Sequence, residues 1–305
     1  MEMVELERQF SELLATRDTD SLNRLIPEVL SGIDASPAYP IIGRSLVRVN
    51  TDILGKPGRS VIYLKDKYST DVPRKLSIYD PVEIPEGGAV PQTHQEIEYV
   101  ESIPKKYGKR PLVTKELIED AAWNVIARNT AEVMRAAKEF EDKKILDTLF
   151  DGATTNTFTS TAADTLSISE IRNAIKRLHQ YGHRATDIIV SPDFWENMMQ
   201  FNWAVAAATA DTTSASWKER MFNTGNMPPI FGIPVTMTAL LEDSDAGKSR
   251  AMVLERQKCG ALTLKRDWTL ESVSDPVTDQ QGLVVTSRFD VAVIQESAIV
   301  AITSL

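Results

Sequence analysis

Few residues in this chain are arranged for chemistry. Three histidines occur, His94, His179 and His183. His179 and His183 are four apart and could share one helix face, but no acidic or cysteine partner follows at metal-ligand spacing. Surface histidines and no metal are expected there. Ala246-Gly247-Lys248-Ser249 copies the end of a phosphate-binding loop. The first glycine of that motif would fall on Glu242, and the following residues read as a strand, so the glycine-rich turn and helix N-terminus that hold phosphate are missing. Glu242, Asp243 and Asp245 cluster without the spacing of a calcium loop, which leaves a solvated acidic turn as the expectation. Cys259 is the single cysteine; it excludes an intrachain disulfide and suits a small buried hydrophobe. No GxSxG, HExxH or GxGxxG motif occurs. Trp123, Trp195, Trp203, Trp217 and Trp268 are too dispersed to make a stacking platform for bases. No catalytic residue, metal or cofactor is therefore assigned, and a non-enzymatic, structural role is expected.

The charge balance points the same way. A formal net charge of -9 does not suit a protein that grips nucleic acid, which needs a basic footprint, although an acidic wall could enclose it. No run of 18 apolar residues is present, so no membrane-spanning helix is expected. Met1–Phe10 is acidic and lacks the apolar core of a signal peptide, which points to folding in a cytoplasm.

The elements that could position such residues are more informative than the residues. Between Thr114 and Phe150 run 37 residues without proline or glycine, with an apolar rhythm of helical period. Unbroken, that helix would be roughly 55 Å long, more than a typical domain width, and so implies an extended, plate-like molecule. Thr114 suits its N-cap, and Glu116, Glu119 and Asp120 suit its first turns. Leu117, Ile118, Ala121, Ala122, Val125 and Ile126 start the apolar stripe, and Val133, Met134, Ala137, Phe140, Ile145 and Leu149 continue it. Asn129 allows a bend, and Asp151-Gly152 ends the helix.

Before this helix, residues 1–35 read as an acidic amphipathic segment with Leu6, Phe10, Leu13 and Leu14 at helical spacing. It is too small to own a core and should dock on its own body or on a neighbour. Ser45–Asn50, Val61–Leu64 and Glu96–Ile103 alternate as strands. Lys65 to Pro91 is long, polar and proline-rich, but it contains Leu76, Ile78, Tyr79, Val82 and Ile84. It reads as a two-stranded projection that needs a partner surface. After the helix, Ser167-Ile-Ser-Glu170 forms a capping box and Gly182 a helix end; Asp187–Val190 is a buried strand, and Ser191-Pro192 opens a second helix. Strands are expected at Ile233–Thr238, Arg250–Leu254, Ala261–Lys265, Trp268–Val273, Leu283–Phe289, Val291–Ile294 and Ala298–Ile302. The fold class is α+β.

The order of these elements resembles the major capsid protein of tailed phages, the Hong Kong 97 fold. Local stretches carry the resemblance: Glu86-Gly-Gly-Ala-Val-Pro91, Thr114-Lys-Glu-Leu-Ile-Glu-Asp120, Gly232-Ile-Pro-Val235, Trp268-Thr-Leu-Glu271, Gly282-Leu-Val-Val-Thr286 and Phe289-Asp-Val-Ala-Val293. The resemblance implies an N-terminal arm over 1–45 and an extended loop, the E-loop, over 58–93. It implies a peripheral domain over 46–57, 94–160 and 255–290, with spine helix 114–150, and an axial domain over 161–254 and 291–305. It further implies self-assembly into pentamers and hexamers of an icosahedral or prolate virion shell around double-stranded DNA, without sequence-specific binding, built in the host cytoplasm. Expected partners are the chain itself, a portal, decoration proteins and a separate scaffolding protein, since only about 40 residues precede the body. In the E-loop, Arg59, Lys65, Lys67, Arg74 and Lys75 would meet acids of a neighbouring subunit. The alternative is an encapsulin-type nanocompartment shell of the same fold.

Overall fold

The structure, a computed structural model, describes residues 41–65, 83–86, 88–90, 98–120, 125–154, 156–159, 168–200, 229–241 and 250–303. The chain order is α1 (Gly43–Leu46), β1 (Arg48–Asn50), β2 (Val61–Lys65), β3 (Glu98–Ser102), β4 (Lys105–Lys109), β5 (Leu112–Thr114), α2 (Lys115–Asp120) and α3 (Val125–Asp151). It continues with β6 (Thr157–Thr159), α4 (Ile168–Gln180), β7 (Asp187–Val190), α5 (Pro192–Gln200), β8 (Val235–Met237), β9 (Arg250–Leu254), β10 (Gly260–Asp275), β11 (Gln280–Val293) and β12 (Ile299–Thr303).

Helix α3 is the element on which two sheets meet. Its buried positions, Met134, Ala137, Glu141, Ile145, Leu149 and their neighbours Asp142, Leu146 and Phe150, recur at three- and four-residue steps and make one stripe. At 27 residues it is about 40 Å long. The first sheet runs β1-β10-β11-β4, with β5 also pairing β11. Along β10 the period-two alternation splits two faces. Leu262 and Leu264 join Ile145, Leu146 and Leu149 in the main core, whereas Ala261 and Ala292 pack against Tyr63 of a two-stranded ribbon formed by β2 and β3. The second sheet runs β6-β12-β9-β7-β8. Ile189, Met252, Leu254, Ile299 and Ala301 share the core of α3. The alternate residues Ile188, Val190, Val253, Val300 and Ile302 face the opposite way, against Ile171, Ala174 and Leu178 of α4 and Phe194 of α5. Both faces of this sheet are covered, which is why its strands read as nearly continuous apolar runs.

Several expectations need correction. The 37-residue helix is described as two pieces: Thr114 is the last residue of β5, held in register with Gln280, and α2 and α3 follow. Thr114 still caps, its Oγ1 accepting the Leu117 N–H at 3.4 Å. Residues 121–124 lie outside the described residues, and α3 runs as one helix through Asn129. Phe140, placed on the apolar stripe, is exposed. The strand expected from Ser45 starts at Arg48, because Gly43–Leu46 forms a short helix capped by a carboxylate of α3. Four expected strands merge into the β10–β11 hairpin. Its charged interruption, Arg266 and Asp267, is absorbed by register shifts between Leu264 and Thr269 rather than by a turn. Gly182 ends α4 at φ 79°, with His183 N–H on Leu178 C=O (2.9 Å) and Gly182 N–H on His179 C=O (3.0 Å). The 1–35 segment, 204–215, the acidic turn and Ala246–Ser249 stretch, His94, and Trp123, Trp203 and Trp217 lie outside the described residues.

Leu149 is fully buried at the junction of α3 with both sheets. Leu149→Ala should lower subunit stability by about 3 kcal/mol, read by urea unfolding of unassembled protein, because the rigid sheets on either side cannot collapse into the void.

Candidate functional site

Three buried polar clusters hold the framework, and one of them has the form of a catalytic site. His183, expected at the surface, is buried. Its Nδ1 lies 2.9 Å from Glu255 Oε2 and its Nε2 3.0 Å from Ser297 Oγ. Burial opposes the charge of Glu255, but hydrogen bonds from Lys258 and His183 hold its carboxyl below the usual range. An ionised Glu255 makes Nδ1–H the donor and leaves Nε2 to accept the Ser297 hydroxyl. The order serine, imidazole, carboxylate is that of a nucleophilic triad. Ser297 is itself buried, however, and among the described residues it lines neither of the cavities given below. The cluster acts as a clamp. It ties the loop after α4 to the β9–β10 turn and to the short 3-10 helix before β12, beside a second tie from Arg256 to Asp187 (2.5 Å). The sequence hid it because its members are 72 and 114 residues apart.

The second cluster anchors the start of the body. Asp142 of α3 accepts the backbone N–H groups of Ile42 (3.2 Å) and Gly43. Arg44 donates to Glu141 and Asp267, and Trp268 Nε1–H donates to Glu141 at 2.7 Å. Burial pushes Asp142 up to about 6, against the pull of its two backbone donors. Cys259, at the floor of the same core, is pushed up to about 12 by burial, which makes it an inert hydrophobe, as its sequence context suggested.

The third cluster seats the β2–β3 ribbon. Tyr63 Oη lies 2.8 Å from Thr263 Oγ1, the Asp290 carboxylate accepts Ser102 Oγ–H and Ile103 N–H at 2.9 Å each, and Lys65 reaches Glu296 at 2.5 Å. With that face fixed, the opposite face carries Ile62 (61% exposed), Leu64 (69%) and Tyr99 (66%) into solvent. Leu64 and Tyr99 are cross-strand partners. Of the five bases expected to act here, Arg59 is exposed in the turn before β2, and Lys65 is paired within its own chain. Lys67, Arg74 and Lys75 lie outside the described residues.

Among the described residues two surface cavities stand out. One of about 280 Å³ lies between α3 and the first sheet, lined by Tyr107, Val133, Ala137, Phe140 and Trp268. The other, of about 540 Å³, lies beside α4. Neither gathers an acid, a base and a nucleophile. Among the described residues no group of three or more metal-ligating side chains occurs, and no helix is long and apolar enough to cross a membrane.

The described residues thus show a framework of buried clamps and one uncovered apolar ribbon face. The phage capsid protein family matches residues 99–302, two thirds of the chain, and the protein belongs to that family. Its fold is that of Hong Kong 97-type major capsid proteins, and it serves as a shell protein of the virion. The structure from Mycobacterium phage Che8 is similar, with TM-score 0.68 and 14% identity over 88% of this chain and 92% of that one. So is the capsid of the cyanophage P-SCSP1u (0.61, 9% identity, 88% and 90%). The capsid of a native GTA particle is also similar (0.61, 12% identity, 85% and 88%). The family match favours a phage shell over an encapsulin-type compartment. Curated proteins give no match.

The Asp142 carboxyl has a pH signature. Its folded pKa, about 6, lies above the ordinary 3.8, so its contribution to stability is fully present below pH 3.8 and is lost as pH rises through about 6. Asp142→Asn removes this slope. The stability of the variant relative to the parent should rise by up to ~3 kcal/mol between those two pH values. Urea unfolding of the unassembled subunit across the range checks it; a difference that does not move with pH refutes it.

Proposed function

We propose that the chain assembles with itself into pentamers and hexamers that close an icosahedral or prolate head around double-stranded DNA, through the ribbon and the loop it carries. The observation that carries this reading is the ribbon's two-sidedness. One face is bonded to the subunit by Tyr63, Ser102 and Lys65, and the other presents Ile62, Leu64 and Tyr99 uncovered. Scattered exposed apolar residues are ordinary, but a row of three on a rigid ribbon is a contact surface waiting for a partner. For a shell protein that partner is another copy, met head-to-tail around a ring.

On this reading residues 58–93 are the E-loop, laid over the neighbouring subunit. Arg59, Lys67, Arg74 and Lys75 set register against the neighbour's acids, while Lys65 fixes the root of the loop through Glu296. The first sheet, the ribbon's root and α3 form the peripheral domain (46–57, 94–160 and 255–290). The second sheet, apart from β6, forms the axial domain with α4 and α5 (161–254 and 291–305), and 1–45 is an arm whose end, at Ile42–Arg44, is tied to α3 while its earlier part is ordered under another subunit. The net charge of -9 fits a wall that encloses DNA without gripping it. Assembly takes place in the host cytoplasm with a separate scaffolding protein, and portal and decoration proteins complete the head. No step requires catalysis or a cofactor.

Replacing residues 66–97 by a short turn that joins Lys65 to its register partner Glu98 should leave a folded subunit with a parental unfolding transition. Electron microscopy and sedimentation should show at least a tenfold loss of closed particles. Normal particles from that variant would sink the E-loop assignment. The triple change Ile62→Ser, Leu64→Ser and Tyr99→Ser should act in the same direction with the loop intact.

A further inference from the structure

The turn after the long region between α5 and β8 holds a residue that the isolated subunit gives no reason for. Ile230 and Ile233 are buried and exchange two backbone hydrogen bonds, of 3.0 and 2.9 Å. They close a two-residue turn whose central residues, Phe231 (φ 51°) and Gly232 (φ 78°), are both left-handed. That turn favours Asn-Gly. A bulky aromatic residue at positive φ is strained, and such strain persists where something else makes use of it. Among the described residues nothing does, and Phe231 is 60% exposed.

Phe231 forms one wall of the 540 Å³ cavity beside α4. Ile175 and Ala185 supply apolar lining, and Arg172, His179 and Arg184 supply the polar groups. All three basic side chains are exposed, and no hydrogen bond or ion pair from their side chains is made among the described residues. The chain carries 43 acidic against 34 basic residues, so a hollow whose lining includes two arginines and no acid reverses the prevailing charge. A ring contact between identical subunits joins two different patches of one chain. A basic hollow with an apolar lining must then meet an acidic surface bearing an apolar group, and the acid-rich remainder of another copy supplies it.

We propose that this cavity is a contact between copies of the chain, in which Phe231 packs on the adjacent subunit while Arg172, His179 and Arg184 pair with its carboxylates. The inference rests on the self-assembly reading above and adds a second contact, separate from the ribbon. Packaged nucleic acid, the other acidic partner in a head, would use the arginines but would leave the apolar lining and the strained ring without a role.

The test replaces Phe231 with asparagine and, separately, with photoreactive benzoylphenylalanine. Asparagine suits the left-handed turn, so Phe231→Asn should unfold at an unchanged or higher temperature than the parent while yielding at least tenfold fewer particles; Phe231→Tyr should restore them. The double reversal Arg172→Glu, Arg184→Glu should show the same loss of particles. Irradiated particles carrying the photoreactive residue should give adducts of twice the subunit mass, mapped to an acidic stretch of a second copy. Parental particle yield from Phe231→Asn, or adducts to DNA in place of protein, overturns the inference and leaves the self-assembly reading standing. A parental chain that forms no particles in the same host even when the neighbouring assembly genes of its phage are co-expressed defeats that reading, and the inference with it.

Discussion

Everything in this subunit depends on one apolar stripe being shared by two sheets. Ile145, Leu146, Leu149 and Phe150 of α3 contact residues of the first sheet, such as Leu262, Leu264 and Phe289, in the same cluster as residues of the second, such as Met252, Leu254 and Ile299. Two sheets on one helix could slide against each other if apolar contact were the only bond, because burial is non-directional. Beyond the passage from β5 through α3 to β6, the chain prevents this by crossing between the sheets at β9–β10 and at β11–β12, and by clamping both of these crossings. The His183–Glu255–Ser297 cluster sits on these crossings, and Cys259 C=O accepts from the backbone N–H groups of Ile294 and Gln295 between them. Buried ionic groups of this kind add little net stability, and their value lies in fixing one geometry. For a shell, one geometry is the requirement, since an angular error at each subunit would accumulate around a ring.

The same logic separates the surfaces that must associate from those that must not. β4 closes one end of the first sheet, and an open strand edge is a template for pairing with any other chain. Its sequence, Lys105-Lys-Tyr-Gly-Lys109, carries three lysines, which suppress edge-to-edge addition. The ribbon, in contrast, presents its apolar residues on a face and not at an edge. A face contact is read by side chains, so it can be specific to one partner surface. An edge contact is read by backbone and is not.

Much of this was legible from residue order. The rhythm of Met134, Ala137, Ile145 and Leu149 is local, and the cap at Gly182, the strand Asp187–Val190 and the proline-led helix α5 follow from short-range rules. Elements whose stability comes from a distant partner were less legible. β4 has no alternation and exists because β11 supplies its hydrogen bonds. β6, only three residues long, leans on β12. At the two breaks expected near Arg266 and Asp290 a carboxylate finds remote donors, Asp290 in Ser102 and Ile103 and Asp267 in Arg44. The triad-like cluster was invisible for the same reason. Its spacing in sequence carries no signal, and only the packing of three turns brings it together.

That cluster also shows why chemistry cannot be inferred from side-chain identity and distance alone. Serine, histidine and glutamate at hydrogen-bond distance satisfy the first tests for a nucleophile, but a catalytic site must also admit a substrate and stabilise developing charge. Here the serine is buried at the crossings it holds, and its hydrogen bond to His183 serves to link them. The features that find no use among the described residues of one subunit lie elsewhere: an apolar ribbon face, a strained exposed aromatic residue and, in an acidic chain, bases without a partner among those residues. An enzyme concentrates its unsatisfied groups inside a cleft. This protein places these three features on its surface, as a subunit that assembles into a shell requires.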